Sequence, residues 1–375
     1  MRYSLRMSDS QFLWYIPNQH EGGHRGDITR PDHNSLAALS EHARAVERHG
    51  WQGALIGTSW GRLDTFTLAT AMVAVTERFQ PLIAIRPGYW NPAQFATAAA
   101  TLDHISGGRV RVNIVSGRDQ LSAYDDHETQ SPRRYARTRE FMALVRRLWS
   151  GERVTFSGEF YHLEDALLTP PIQPREGRPH PPLYFGGASA EAEIVAASQA
   201  DVQLFWGEPL AGIAERMDRL KHLSQQIDRD LPPLQFGLRI TTLVRETSEE
   251  AWDAAYARLA SMTKGWNEAS WVHQQAGAVG QERLNILHKD GDVLDTCLYT
   301  APARFGGGGA ASTWLVGSAE EVATALKAYE ALGISHFVLS DTPYLSEVKR
   351  QGETLLALLR ARASKEPLPL ATNHA

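Results

Sequence analysis

The sequence predicts a (β/α)8 barrel with insertions, and three observations lead to that fold class. The chain has 375 residues, which lies within the size range of such barrels. Short apolar stretches alternate with amphipathic helical stretches, as parallel strands joined by crossover helices require. No G-x-G-x-x-G motif follows the first strand, which weakens the alternative of an open dinucleotide-binding sheet. We expect one barrel domain over residues 1–375, with eight strands near residues 14, 55, 83, 113, 184, 204, 239 and 338.

The first half of the chain shows this alternation plainly. Asn34 is predicted to cap a helix over 35–49, in which apolar residues recur at helical spacing. Gly50 ends this helix, and Asp64 begins the next one. The predicted elements of this half are strands at 12–17, 53–56, 81–85 and 110–115, and helices at 35–49, 64–75 and 92–106.

The second half repeats the pattern with one interruption. Residues 264–312 contain helical pieces and a glycine run at 306–309 but no clear strand, and we interpret them as a flexible insertion. The predicted strands are 183–185, 202–205, 234–244 and 336–340, and the predicted helices are 134–148, 190–200, 210–227, 248–261, 319–332 and 345–362.

Composition excludes several classes of protein. Lys and Arg total 38 against 43 for Asp and Glu, so no basic excess indicates a nucleic-acid partner. The sequence has no apolar run of about 18 residues and no signal-peptide core, so we expect a soluble, cytoplasmic protein with no membrane partner. The single cysteine, Cys297, excludes an internal disulfide and a cysteine-based metal cage. Without H-E-x-x-H or a comparable motif, no metal site is expected.

Chemistry in a barrel lies at the carboxyl ends of the strands. This rule selects residues that are rich in amide, hydroxyl, aromatic and guanidinium groups. The candidates are Asn18, Gln19, Trp60, Arg62, Asn113, Ser116, Gly117, Gly187, Ala188, Ser189, Trp206, Arg239, Thr241, Asp341 and Thr342.

The turn after the fifth strand has two interpretations. In Tyr184-Phe-Gly-Gly-Ala-Ser189, glycines allow close approach to an anion, and the following helix start offers free N–H groups for a phosphate. The alternative is a tight turn in which Ser189 only caps the helix. Sequence alone leaves both open, although phosphate sites recur at late strand ends of this fold.

Arg239 lies inside an apolar strand, and burying its charge requires a partner. That partner is either a carboxylate or an anionic ligand. Trp206, at the preceding strand end, is either a substrate wall or a cap on the barrel core. The strand ends lack a Ser/His/Asp arrangement, and only Asp341 and Asp64 are available as paired acids. A site of this kind binds anions and leaves the difficult chemistry to a cofactor.

Several motifs resemble the bacterial-luciferase-like flavin monooxygenases, and among them the alkanesulfonate monooxygenases most. The resemblance runs in order from about residue 12 to 362. The motifs are Trp14-Tyr-Ile-Pro17, Ile85-Arg-Pro-Gly88, Ala100-Thr-Leu-Asp-His-Ile-Ser-Gly-Gly-Arg109, Val112-Asn-Ile-Val-Ser-Gly117, Pro181-Pro-Leu-Tyr-Phe-Gly-Gly-Ala-Ser189, Trp206-Gly-Glu-Pro209, Phe236-Gly-Leu-Arg239 and Val244-Arg-Glu-Thr247.

The resemblance implies a barrel that uses reduced FMN (FMNH2), supplied by a separate NAD(P)H-dependent flavin reductase, together with O2. It implies cleavage of a sulfonate C–S bond to sulfite and an aldehyde, and a homodimer or homotetramer. By position, Tyr135, Ser189 and the backbone of 187–189, including Ala188, hold the FMN phosphate. Asn113, Ser116 and Gly117 lie along the flavin ring, and Trp206 and Arg239 line the sulfonate pocket. Arg304 aligns with an arginine before the Gly-rich run and is expected to help exclude water.

The residues expected to contact the substrate depart from the pattern of that family. Arg62 stands where the family has a cysteine, Thr241 where it has a histidine, and residues 340–344 read Ser-Asp-Thr-Pro-Tyr in place of Ser-Gly-Tyr-Pro-His. Arg62 and Arg239 keep the cations that a sulfonate needs. Hydrogen-bonding groups and flat aromatic faces favour a polyhydroxylated sulfonate, with sulfoquinovose as the best single candidate. The groups concerned are Asn18, Gln19, Thr241, Asp341, Thr342, Trp60 and Trp206.

Three alternatives remain at this stage. The first is an oxygenase of the same family that acts on a non-sulfonate such as a sulfone or an amine. The second is a deazaflavin-dependent reductase, which transfers hydride and needs no oxygen. The third is a flavin-binding protein without catalysis. Fold alone does not separate them, since function resides in the site.

Overall fold

The computed structural model describes residues 10–16, 18, 31–117, 121–128, 131–175, 177–264, 278–305 and 312–365. Gln19 lies outside the described residues, as does the glycine run at 306–309. The strands in chain order are β1 (Gln11–Ile16), β2 (Gly53–Ile56), β3 (Gln80–Ile85), β4 (Arg111–Ile114), β5 (Val154–Ser157), β6 (His162–Ala166), β7 (Leu183–Phe185), β8 (Val202–Trp206), β9 (Gln235–Arg245), β10 (Val293–Leu294), β11 (Leu298–Tyr299), β12 (Trp314–Ser318) and β13 (Ile334–Ser340).

A closed parallel barrel forms the centre of the molecule. Its strand order is β1-β2-β3-β4-β7-β8-β9-β13, and β13 pairs with β1 to complete the ring. These are the eight strands that the alternation predicted, and the fold class is confirmed. The physical reason is that each strand is a short apolar run followed by a helix, a pattern that buries both faces of a parallel sheet.

The helices surround the barrel. They are α1 (Leu36–Arg48), α2 (Thr65–Ala74), α3 (Pro92–Ser106), α4 (Ser131–Trp149), α5 (Ala190–Gln199), α6 (Leu210–Gln226), α7 (Ser248–Thr263), α8 (Val279–Leu287), α9 (Ala319–Leu332), α10 (Tyr344–Gln351) and α11 (Ala357–Lys365). The predicted cap at Asn34 is wrong by one residue, because the Ser35 hydroxyl accepts from the amide of Ala38. Asp64 caps α2 as predicted, accepting from the amide of Thr67.

Two apolar layers, together with a third buried cluster around α7, β11 and β12, hold the described elements together. The larger lies between the barrel and the helices and includes Trp14, Phe95 and Phe185. The smaller fills the barrel interior, where Tyr15 and Leu204 are members. Burying such side chains stabilises the fold by about 25 cal/mol for each Å² of apolar surface removed from water.

The amino-terminal end of the barrel is closed by a polar network. The Arg111 guanidinium donates to the Tyr184 hydroxyl at 2.7 Å, and that hydroxyl lies 2.8 Å from the Nδ1 atom of His336. Burial lowers the pKa of His336 to about 3. A neutral imidazole fits this position because a second charge beside Arg111 would have no counter-ion in the network. This end of the barrel therefore serves stability, and ligand chemistry is left to the opposite end.

The segment 264–312 differs from its prediction. Its described part contains α8 and two strands, β10 and β11, which pair antiparallel. β11 pairs in turn with β12, and β12 runs parallel to the outer half of β9, from Thr241 to Arg245. Strands of two residues leave no alternation to read, so sequence patterns miss them. The hairpin β5–β6 was missed as well. No helix among the described residues is long and apolar enough to cross a bilayer.

Candidate functional site

A cavity of about 430 Å³ opens at the carboxyl ends of β4, β7, β8 and β9, within the size range of small-molecule sites. The first residues of α8 cover part of it. Among the residues selected from sequence, eight line this cavity: Asn113, Gly117, Tyr135, Gly187, Ala188, Ser189, Trp206 and Arg239.

The turn from Gly186 to Ser189 leads into α5 at one end of the cavity. The Ser189 side chain accepts from the amide of Ala192 at 3.2 Å, so it is a helix cap. It also shares a hydrogen bond with the hydroxyl of Tyr135. A Cβ on Gly187 would lie 2.5 Å from the Cβ of Ala192, so only glycine fits this approach of turn and helix. Ser189 therefore caps α5, and the turn from Gly186 to Ser189 also lines the cavity.

Arg134 is a cavity residue that sequence reasoning missed. Its side chain is 8% exposed, lines the cavity beside Tyr135, and donates from Nε to the carbonyl of Ser116 at 3.2 Å. Glu191 lines the same end with the opposite charge. Burial raises the pKa of the Tyr135 hydroxyl, which keeps it protonated and able to donate. The Arg133-Arg134-Tyr135 run at the start of α4 was the available signal.

Asn113 and Ser116 occupy different positions relative to the cavity. Asn113 lines it, and its side-chain oxygen is buried without a hydrogen-bond partner among the described residues. Such an atom normally has a partner, so a ligand group that donates a hydrogen bond fits here. Ser116 faces the other way, with its hydroxyl 2.6 Å from that of Thr138. Gly117 lines the cavity, and its carbonyl accepts from Arg86.

Arg239 and Trp206 also line the cavity, and they pair in register where β9 runs beside β8. The guanidinium of Arg239 lies 5.1 Å from the centre of the Tyr15 ring, a cation–π distance. Trp206 forms the wall beneath α8, because a Cβ on Gly280 would lie 3.7 Å from its indole ring. Both expected roles of Trp206 fit this place, since the ring is partly buried and also faces the cavity.

Arg62 belongs to a neighbouring recess. It donates to the Tyr15 hydroxyl at 2.7 Å and to Asn18 Oδ1 at 3.1 Å, so Arg62 and Arg239 both contact Tyr15. Asn18 in turn donates to the carbonyl of Gly57 at 2.7 Å. The recess measures about 190 Å³. Trp60 is 51% exposed, with its ring edge against Tyr124.

Asp341 and Thr342 are held by α7 and do not line the cavity. Arg258 donates to Asp341 Oδ1 at 2.6 Å and to the hydroxyl of Thr342 at 2.9 Å. Arg245 lies 3.5 Å from the other Asp341 oxygen. The expectation that they contact substrate meets a physical obstacle, since both side chains are buried in these bonds.

Two other predicted residues also lie outside the cavity lining. Thr241 is fully buried in β9, where it pairs in register with Trp314 of β12. Arg304 lies on a short 3-10 turn, Ala301–Phe305, where it is exposed and its guanidinium is 5.5 Å from the Phe305 ring. Gln19 is outside the described residues.

Sequence reasoning also missed a buried ionic network, of which Glu208 and Arg216 themselves line the cavity. Glu208, 3% exposed, accepts from Arg216 at 2.9 Å and from Arg283 of α8 at 2.5 Å. Arg216 also donates to the carbonyl of Gly187 at 2.6 Å. Glu208 lies within the motif 206–209, but the sequence analysis assigned a role only to Trp206 of that motif.

A family model and several solved structures match the fold of this chain. The model of the luciferase-like monooxygenase family matches residues 10–336. The structure superposes on a riboflavin lyase determined with modified FMN and riboflavin, with a TM-score of 0.74, 19% identity, and coverage of 94% of this chain and 92% of that one. A long-chain alkane monooxygenase gives a TM-score of 0.73 at 17% identity, covering 94% and 92%. A coenzyme F420-dependent tetrahydromethanopterin reductase from Methanopyrus kandleri gives 0.66 at 13% identity, covering 93% and 99%.

At these identities the superpositions establish the fold alone, whereas the family model covers most of the chain. The chain belongs to the luciferase-like monooxygenase family.

Proposed function

We propose that this protein is the oxygenase component of a two-component monooxygenase that uses FMNH2 and O2. Its proposed reaction cleaves the C–S bond of a polar organosulfonate, such as sulfoquinovose, to sulfite and an aldehyde. The observation that carries the proposal is a single cavity lined both by the glycine turn with Ser189 and Tyr135 and by Arg239 with Trp206.

The residues present fit FMN. The glycine turn, Ser189, Tyr135 and Arg134 offer backbone and side-chain donors for a phosphate at the amino terminus of α5, where the helix dipole also favours negative charge. The orphaned Asn113 oxygen suits an N–H of a flavin ring. Reduced FMN, when bound, supplies the activation of O2 that protein side chains do not provide.

The residues proposed to bind the substrate offer cations and hydrogen-bonding groups. Arg239 would pair with the sulfonate and support negative charge that develops during cleavage. Arg62, held against the same tyrosine, adds a second positive charge nearby. Because Arg258 engages Asp341 and Thr342, and Asn18 is buried in bonds to Gly57 and Arg62, the case for a hydroxylated substrate rests on Thr58 and Ser59, which line the recess. The covering helix α8 would exclude water from the reacting atoms.

The proposal includes partners that the cavity does not display. A separate NAD(P)H-dependent flavin reductase would supply FMNH2, because the proposed chemistry consumes one reduced flavin per turnover. A homodimer or homotetramer remains an expectation from the resemblance.

The test is sulfite release by the purified protein with FMN, a flavin reductase, NADH and air. We expect turnover of sulfoquinovose and little turnover of octanesulfonate. Vigorous release from octanesulfonate with none from sulfoquinovose would reject the substrate. No sulfite from any sulfonate, with oxidation of a sulfone or amine, would reject C–S cleavage of sulfonates. Anaerobic hydride transfer from reduced F420 would instead identify a reductase, and tight FMN binding with no turnover would indicate a flavin-binding protein.

A further inference from the structure

The first residues of helix α8 cover part of the cavity. We call α8 the roof helix. A Cβ on Gly280 would lie 3.7 Å from the Trp206 ring and 3.8 Å from the Cβ of Ala188. The roof helix therefore begins in contact with both Trp206 and the glycine turn.

One helical turn later, the roof helix is tied down by an ion pair. Arg283 donates from Nε to both carboxylate oxygens of Glu208, at 3.1 and 3.0 Å, and from Nη2 at 2.5 Å. These hydrogen bonds raise the pKa of Arg283. The backbone of Glu208 is itself fixed, since the Tyr329 hydroxyl donates to its carbonyl at 2.7 Å. Glu208 is therefore a rigid anchor for the roof helix.

The same carboxylate reaches the glycine turn through a second arginine. Arg216, 2% exposed, donates to Glu208 at 2.9 Å and to the carbonyl of Gly187 at 2.6 Å. Gln203 donates to the same carbonyl at 3.2 Å. The roof helix therefore lies beside Ala188 at Gly280 and is also linked to Gly187 through Arg283, Glu208 and Arg216.

We propose that Glu208 is a positioning residue that couples the seating of the roof helix to the anion-binding geometry of the glycine turn. An anion bound at the turn and a seated roof helix then stabilise each other, and this coupling is reciprocal. The physical basis is that the buried carboxylate holds both arginines. Loss of Arg283 leaves it under-compensated and allows Arg216, and with it the Gly187 carbonyl, to shift. The inference rests on the proposed function only in naming FMN phosphate as the anion.

The test compares Arg283→Gln with Arg178→Gln. Arg178 is a matched control, because it also bonds a buried carboxylate, Asp103, at 2.6 Å, at the other end of the barrel. Amide hydrogen exchange of residues 279–287 and titration calorimetry with FMN and riboflavin are measured on the full chain. We expect Arg283→Gln to accelerate exchange in the roof helix and to weaken FMN binding about tenfold, within the usual range of coupling. Riboflavin, which lacks the phosphate, should bind both variants and the unaltered protein alike.

Comparing FMN with riboflavin separates a loss of coupling from general damage to the binding site. Equal weakening of FMN and riboflavin, or faster exchange with unchanged FMN affinity, would overturn the proposal. Glu208→Gln should reproduce the loss of FMN affinity. Arg283→Lys keeps the charge but not the planar fork, so it should lose less FMN affinity than Arg283→Gln. If the unaltered protein binds no FMN, the proposed function fails, and protection of residues 279–287 by inorganic phosphate becomes the readout. Absence of that protection, or equal protection in Arg283→Gln, would reject the coupling too.

Discussion

The two halves of the barrel mouth use their strand-end side chains differently. At β4 and β8, side chains such as Asn113 and Trp206 face a common cavity, and the Asn113 oxygen has no protein partner among the described residues. At β13, the side chains of Asp341 and Thr342 are bonded to Arg258 of α7. A polar residue at a barrel strand end is therefore only a candidate, because a neighbouring helix can use it to hold the fold together.

The largest expected effect is on activity and tests the half of the barrel mouth that faces the cavity. Arg239→Ala should lower kcat/KM for sulfite release by about a thousandfold, the scale for losing a charged group that stabilises a transition state. FMN affinity should change less than about twofold, because Arg239 is not among the groups proposed to hold the phosphate. Steady-state sulfite assays and calorimetry check both. Arg304→Ala is the control, since Arg304 is exposed outside the cavity lining. Equal loss of activity and FMN binding would show that Arg239 is misplaced.

The next effect tests the β13 half. Arg258→Gln should lower the free energy of unfolding by about 3 kcal/mol, because it leaves the buried Asp341 carboxylate short of a partner. KM for the sulfonate should stay within about twofold if these residues hold the fold and do not contact substrate. Urea denaturation and steady-state kinetics measure the two quantities. A large rise in KM with little loss of stability would return Asp341 and Thr342 to the substrate site.

A smaller effect is expected at the glycine turn. Gly187→Ala should weaken FMN binding by about 2 kcal/mol, because its Cβ would overlap Ala192 and displace the turn. Gly186→Ala is the matched control, since its Cβ would lie 3.4 Å from the carbonyl of Leu204, an ordinary contact. Similar FMN affinities for the two variants would contradict the close approach at Gly187.

The smallest expected effect is a pH dependence of stability that arises at the β13 half of the barrel mouth. Burial, and then the negative charge of Asp341, raise the pKa of Glu347 to about 7. Between pH 4.5 and about 7 the folded protein keeps a proton that the unfolded chain releases, so this contribution to stability is lost as pH rises through that window. Glu347→Gln should therefore flatten the fall in unfolding free energy between pH 5 and 7.5, measured by urea denaturation. Glu246→Gln, at an exposed carboxylate, should leave the slope unchanged.

Much of the barrel was predictable because it depends on short-range patterns. Each barrel strand is an apolar run followed by a helix, so all eight positions follow from the chain. β10 and β11 were not predictable, because two-residue strands carry no periodicity and exist through their pairing with β12. For the site, glycines and a helix cap signalled the turn at 186–189 and the run 133–135 pointed to Arg134, whereas Glu208 had no comparable local signal.

What the sequence by itself determined is the barrel, the order of its strands and the set of polar residues at their carboxyl ends. Local apolar periodicity and capping residues are enough for that, because each element is specified within about 15 residues of chain. Only the tertiary structure decided which of those residues share a cavity. Arg258 reaches Asp341 across 83 residues and Arg283 reaches Glu208 across 75, and such pairings depend on how the elements pack.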